Sequence, residues 1–365
     1  RGWFDDKQEP NLLQWLDLVA LGTVCDVVPL TGLNRVLVAQ GLKIAAHRDN
    51  PGLAALSDLA GVDQRLGAYH LGFVFGPRLN AGGRVGNSDL GAKLLATDDM
   101  DEAQAIAAKL NDYNLERREI EAAIQTQAIE LAEAKGAVQL PLVFLADPRW
   151  HQGVIGIVAS RLKDRFHRPT IVVAMDGEEG KGSGRSIPGV DLGAAITAAK
   201  QAGLLLAGGG HAMAAGLTVA PDKLAELEEF LSERIAKTMT GQPQGKYLGL
   251  DGALTVSGAS RDLFDTLESA GPYGAGHPEP RFAIANADVV KADLVGHNHV
   301  RMVLAGARGG RLKGIAFGVA DSPLGQAMLS SQGRSLHLAG HLRADDWQGR
   351  RGVQLFIEDA ALPEN

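Results

Sequence analysis

Between residues 101 and 134 the chain contains neither glycine nor proline, and the run is built largely of Ala, Glu, Gln, Leu, Ile, Arg and Lys. These are good helix formers, and a helix of that length extends roughly 50 Å. That exceeds the width of a small domain, so the chain cannot wrap one core, and the helix is expected to act as a strut between domains. Ile106, Leu110, Tyr113, Ile120, Ile124 and Leu131 supply its packing face, and the acidic residues Asp98, Asp99 and Asp101 suit the positive end of its dipole. A length of 365 residues with 45% apolar content fits two or three globular domains.

Several classes are disfavoured at once. No stretch approaches the roughly 18 uninterrupted apolar residues of a membrane span, and the first residues lack a secretory layout, so the expected setting is cytoplasmic with no membrane partner. Cys25 is the single cysteine. It excludes an intrachain disulfide or a thiolate metal cluster and is expected to pack in a core. A net charge of −7 argues against nonspecific coating of nucleic acid but leaves room for a local basic groove. Aromatic content is only 5%, so base stacking would rest on a few positions such as Tyr273, Trp347 and Phe356. The chain begins with Arg1, and DLVALGTVCDVVPL follows almost at once, so it is expected to start inside a domain.

Two glycine-rich stretches carry the strongest chemical signal. In LLLAGGGHAMAAG (204–216), Gly208, Gly209 and Gly210 run into His211. Glycine lets several N–H groups aim at one point, so the triplet reads as an anion-binding turn, with residues 212–215 opening a helix whose dipole favours phosphate. In GKGSGRS (180–186), read as a second loop, Ser183 offers a hydroxyl and Arg185 a guanidinium fork suited to two phosphate oxygens. The plain alternative is that both are turns between strands.

Elsewhere, residues 11–28 have helical spacing and deliver Asp26 to a C-terminal end, where a carboxylate is either a metal ligand or a turn cap. Residues 33–47, 52–60 and 88–96 read as short helices. The segment LGFVFGPRLNAGGRVG (71–86) is expected to become a glycine-rich loop carrying Arg78, Asn80 and Arg84, which grip a phosphate backbone or ribose or else solvate a surface. Residues 140–146 read as a strand followed by a helix from Val154. This α/β unit leaves His151 and Gln152 at the strand-to-helix junction, where open sheets place ligands. A further strand is expected at 169–174, helices at 191–200 and 225–237, and a strand at 217–220. Residues 240–246 have linker composition. Beyond them, short alternating runs at 249–256, 282–290, 300–305, 311–317, 336–342 and 352–357 predict a small β-barrel, with the OB-fold as leading candidate. The loop GPYGAGHPEP (271–280) either covers a binding face or turns a corner.

Taken together, LQWLDLVALGTVCDVVPL, GPRLNAGGR, WHQGVIGIVASRL, KGSGRS and GGGHAMAAG resemble, in order and spacing, the bacterial RecJ family of the DHH phosphoesterase superfamily. The resemblance covers nearly the whole chain. It implies a single-stranded-DNA-specific 5′-to-3′ exonuclease of repair and recombination, using Mn²⁺ or Mg²⁺ in a two-ion site. It also implies an α/β architecture: the C-terminal part of a DHH catalytic domain at 1–97, a long connecting helix at 98–136, a small α/β DHH-associated domain at 137–240 and an OB-fold at 246–365. By resemblance Asp26 is the catalytic, metal-ligating aspartate. Arg78, Asn80 and Arg84 are strand contacts, Ser183 and Arg185 hold the 5′-phosphate, and His151 and His211 face the cleft. Expected partners are single-stranded DNA with a 5′ end, a single-strand-binding protein and a RecQ-type helicase, with the chain itself a monomer. The family's earlier aspartate motifs and its Asp-His-His signature occur nowhere in the sequence. The expectation is therefore a C-terminal portion that keeps the phosphate-gripping half and is catalytically incomplete. Alternatives are a noncatalytic single-stranded-DNA-binding or scaffold relative, and a DHH phosphoesterase acting on nanoRNA or nucleotides.

Overall fold

The computed structural model describes residues 4–63, 65–239, 247–347 and 350–363. Its chain divides into two compact units: Arg1–His47 with Arg65–Gly72 and Lys246–Asn365, and Arg48–Gln64 with Phe73–Gly245. The expected linker at 240–246 lies outside the described residues. Up to Ala134 the described elements are helical, among them α1 (Leu16–Cys25), α2 (Gly32–Ala45), α3 (Pro51–Leu59), a π-helical turn His70–Phe75, α4 (Gly76–Leu79), α5 (Gly82–Val85), α6 (Leu90–Ala96) and α7 (Met100–Ala134). The long helix is unbroken as expected. Asp99 caps it, its carboxylate accepting from the N–H groups of Asp101 and Glu102.

The expected loop at 76–86 is instead two short helices. Pro77 sits in the first turn of α4, where a missing N–H costs nothing. Gly82 is buried against the Asn87 carbonyl, so it serves close packing rather than a loop. Residues Arg78 and Arg84 are therefore presented from helices.

After α7 the second unit continues with β1 (Val143–Asp147), α8 (Ile155–Phe166), β2 (Thr170–Asp176), β3 (Glu179–Arg185), α9 (Leu192–Gln201), β4 (Ala207–His211), β5 (Ala214–Val219) and α10 (Leu224–Met239). The sheet order is β1-β2-β3-β5-β4, with β1 and β2 parallel and the other pairs antiparallel. One face packs Ile171, Val173, Leu217 and Val219 with Leu192, Ile196 and Leu227 from α9 and α10. The other packs Leu145, Val172 and Ala174 with Val158 and Leu162 from α8 and Ile124 and Ala128 from α7. Two expectations fail here. The stretch 180–186 is strand β3 rather than a loop, and the glycine triplet lies in β4, turning through residues 212–213 straight into β5 rather than into a helix. The physical reason is cross-strand packing: Gly180, Gly182 and Gly184 take positions where neighbouring side chains fill the space of a Cβ.

In the first unit α1 and α2 pack closely through Gly41, which lies against the Leu16 carbonyl. Then follow β6 (Gly252–Leu254), α11 (Arg261–Ser269), β7 (Phe282–Val295), β8 (His299–Ala305), β9 (Arg311–Ala316), α12 (Pro323–Leu329), β10 (Ser335–Trp347) and β11 (Arg350–Ala361). The ladder runs β10-β11-β9-β8-β7 and returns from β7 to β10, closing a five-stranded ring with β6 alongside β7. Ile284, Met302, Leu304, Leu338 and Leu355 fill it, each at most 1% exposed. The small barrel is thus present as expected. The 271–280 loop turns a corner against the α1–α2 junction: Leu30 N–H donates to Ala275 O at 2.6 Å, and Gly274 and Gly276 leave no room for a Cβ beside Leu30 and Pro29. Among the described residues no helix is long and apolar enough to cross a membrane.

Candidate functional site

The alternation in Gly-Lys-Gly-Ser-Gly-Arg matches the two-residue period of a strand. Its glycines face the core, where a Cβ on Gly182 would lie 2.6 Å from Leu217 and one on Gly184 2.6 Å from Leu192. Lys181, Ser183 and Arg185 consequently all point to the other face, the face covered by α8. Ser183 Oγ accepts from Arg185 Nη1 at 3.1 Å, and the same nitrogen donates to Gly184 O at 2.8 Å.

The N-terminus of α8 arrives at these two side chains. A Cβ on Gly156 would lie 3.0 Å from Ser183 Oγ and 3.1 Å from Arg185 Nη2. The first-turn N–H groups of a helix lack intrahelical partners, and Val154 provides no side-chain cap, so this end is an anion-attracting pole. Arg84 is tied to the same spot, its Nη1 donating to Gly153 O at 3.0 Å. Lys181 Nζ sits 3.3 Å from Thr218 Oγ1 and 2.8 Å from Glu179.

Together these groups line an open pocket of about 440 Å³ that includes Arg84, Lys181, Arg185, Gln152, Gly208 and Gly216 and carries no carboxylate in its wall. Burial, and after it the charge of Arg84, pulls the Arg185 guanidinium below its ordinary value. Two cations facing one cavity without an anion are what a phosphate would relieve. The anion-attracting helix end foreseen after the glycine triplet exists, but it belongs to α8.

Of the residues singled out in the sequence, the structure brings Arg84, Gln152, Ser183, Arg185 and Gly208 into this pocket. Gly209 lies on the same face of the sheet, opposite Gly216, whereas Gly210 packs against Ala214 and Ala215. His211 is exposed on the strand row that contains Arg185, outside the pocket wall. His151 is also outside it and accepts the Gly153 N–H on Nδ1 at 3.1 Å. Arg78 is engaged elsewhere in the second unit, donating to Asn111 Oδ1 at 3.1 Å and Val74 O at 2.7 Å, and Asn80 is exposed. Lys181, Thr218, Gly156 and Gly216 were missed. The period-two pattern would have found Lys181, but Thr218, Gly156 and Gly216 depend on strand register and helix packing.

Asp26 occupies the C-cap of α1 in the first unit, exposed, with its N–H donating to Gly22 O. Val27 after it has φ of 56°, an uncommon conformation for a β-branched residue. A two-ion centre needs several hard ligands converging on one place. Among the described residues no group of three or more His, Cys, Asp or Glu side chains is placed to hold a metal ion, so these residues by themselves do not fit such a centre. On the barrel, Phe317 is 52% exposed and meets His299 and Phe356 edge to face, each with centroids 5.1 Å apart, and Arg343 lies over Phe356. Tyr273 is otherwise occupied, stacked on His277 with its hydroxyl donating to Leu267 O. The side chain of Trp347 lies outside the described residues.

Residues 137–237 match the family described as the DHHA1 domain, and residues 250–359 match the RecJ OB domain. The chain is 41% identical over 368 residues to the single-stranded-DNA-specific exonuclease RecJ of Dickeya dadantii, covering 98% of this chain and 63% of that protein. It is 40% identical to RecJ of Escherichia coli over 98% of this chain and 63% of that one. Among solved structures, RecJ of Thermus thermophilus in complex with Mn²⁺ superposes with a TM-score of 0.83 at 30% identity, over 98% of this chain and 51% of that one. The Mg²⁺ complex gives 0.81 at 29% identity, over 98% and 53%. The chain therefore spans about 63% of the length of the first two relatives.

Proposed function

The chain belongs to the RecJ family, and from that premise we propose that it forms the substrate-holding part of a single-stranded-DNA-specific 5′-to-3′ exonuclease. In this reading residues 1–97 belong to the catalytic DHH domain, 98–136 form the connecting helix, 137–240 the DHH-associated domain and 246–365 the OB-fold. The supporting observation is the convergence of Arg84, Lys181, Arg185 and the α8 N-terminus on one carboxylate-free pocket.

A terminal 5′-phosphate accepts from the Arg185 fork, from Ser183 Oγ–H and from the first N–H groups of α8, while Lys181 and Arg84 add charge. Gripping the end itself gives polarity, because an internal phosphate carries a chain on both sides and cannot enter as deeply. The barrel supplies a separate contact to strand through Phe317, Phe356 and Arg343. Mn²⁺ or Mg²⁺ would supply hydrolysis in the family's intact enzymes. Since the described residues do not assemble that centre, the reading for this chain alone is retention of the strand without cleavage, with Asp26 as its one contribution to a metal site.

The test is binding and Mn²⁺-dependent degradation of single-stranded oligonucleotides with 5′-phosphate or 5′-hydroxyl ends, by this chain and by Asp26→Ala. Preference for the 5′-phosphate without cleavage is expected. Equal affinity for both ends would refute the pocket's role, and cleavage abolished by Asp26→Ala would refute the incomplete centre.

A further inference from the structure

Four glycines stand on β4 and β5, and only two have a packing reason. A Cβ on Gly208 would lie 2.9 Å from Ile196, and one on Gly210 would collide with Ala214 and Ala215. Gly209 and Gly216 are different. They pair with each other across the two strands, no heavy atom lies within 4 Å of a Cβ built on either, and neither has a positive φ. A glycine in a strand interior is destabilising relative to alanine, because it loses more chain entropy and packs no side chain. Neither packing nor backbone geometry accounts for that cost here.

Their position does. Register aligns Ser183 with Gly216 and Gly216 with Gly209, so the row beginning at the phosphate-facing hydroxyl continues as bare peptide across two strands. The adjacent rows on the same face are Lys181, Thr218 and Ala207 on one side and Arg185, Ala214 and His211 on the other. Both glycines are exposed on that face. Gly216 lines the cavity of about 440 Å³, which is far larger than a phosphate, and Gly209 continues the bare row beside it. The cavity is of the size that takes a small ligand such as one nucleotide.

Resting on the phosphate assignment above, we propose that Gly209 and Gly216 form a side-chain-free floor on which the sugar and base of the 5′-terminal nucleotide lie, so that the pocket seats a whole nucleoside 5′-phosphate. A flat peptide surface allows closer approach than any side chain would, and it contacts sugar and base without reading sequence. A side chain added to this floor fills ligand space while relieving the strand of its glycine.

The experiment uses the full chain and two 5′-phosphorylated single-stranded oligonucleotides, one of thymidines throughout and one whose first nucleoside is replaced by a three-carbon spacer. Gly216→Val is expected to weaken the all-thymidine strand at least tenfold, to leave the spacer strand within twofold of wild type, and to hold or raise Tm. Gly216→Ala, with less bulk, should show the same selectivity at smaller size and decides the matter if the valine variant folds poorly. Equal weakening of both strands, or of neither, by the glycine variants overturns the floor. Arg185→Ala should weaken both strands, and its failure to weaken either would strike the phosphate assignment, and the floor with it.

Discussion

Gly156 in α8 stands so close to Ser183 in β3 that a Cβ on the glycine would lie 3.0 Å from the serine Oγ. The helix end and the hydroxyl are thus two sides of one slot. Gly156→Ala gains up to about 1 kcal/mol of intrinsic helix propensity, so stability should hold. The methyl nevertheless crowds Ser183 and Arg185. Affinity for a 5′-phosphorylated strand is expected to drop roughly tenfold, about 1.4 kcal/mol, with affinity for a 5′-hydroxyl strand unchanged. Titration calorimetry on the two strands checks it.

Arg185 holds its fork in place through Ser183 Oγ and Gly184 O. Lysine keeps the charge but loses the paired donors. Arg185→Lys should therefore retain salt-dependent binding yet lose most of the discrimination between 5′-phosphate and 5′-hydroxyl ends. A discrimination ratio equal to wild type would count against bidentate recognition.

The glycines on the two faces of the sheet should respond in opposite ways. Gly182→Val places a side chain into Leu217, which a Cβ would already approach to 2.6 Å, and overpacking of this kind costs about 1–3 kcal/mol. Thermal unfolding should show the loss clearly, whereas Gly216→Val on the open face should not lower Tm.

Asp147, its side chain 11% exposed, accepts from Arg149 Nε at 2.9 Å and Nη2 at 2.7 Å. The hydrogen bonds from Arg149 hold its carboxyl below the usual value despite burial. A depressed folded-state value means the stabilisation is present above the unfolded carboxyl value, about 3.9, and is lost as pH falls through the lower folded one. Asp147→Asn should therefore lower Tm at pH 7, and the gap to wild type should close in strongly acidic buffer.

Phe317 exposes an aromatic face on the barrel beside Phe356 and Arg343. If strand stacks there, Phe317→Ala should weaken single-strand binding by about 1–3 kcal/mol irrespective of the 5′ end. Fluorescence anisotropy on long 5′-hydroxyl strands isolates this contribution from the pocket.

The long helix was legible because thirty-four residues without glycine or proline leave local propensity unopposed, and observed α7 starts one residue earlier, at Met100. The barrel was legible from alternation, and Asp26 was correctly placed at a helix end. Glycine-rich segments were misread. In GKGSGR and GGGH glycine imposes no local conformation, so the deciding forces came from Leu217, Leu192 and Ile196, which are remote in sequence.

By itself the sequence determined the element types wherever propensity and periodicity agree, and the resemblance to the RecJ family. That GKGSGR is a strand with Ser183 and Arg185 on one face was decided by packing against its neighbours. Only the tertiary structure decided what those side chains face. The α8 N-terminus, Arg84, Thr218 and the bare Gly209–Gly216 pair reach them through strand register and helix packing. Those are contacts between distant segments, and no local pattern in the chain encodes which of them meet.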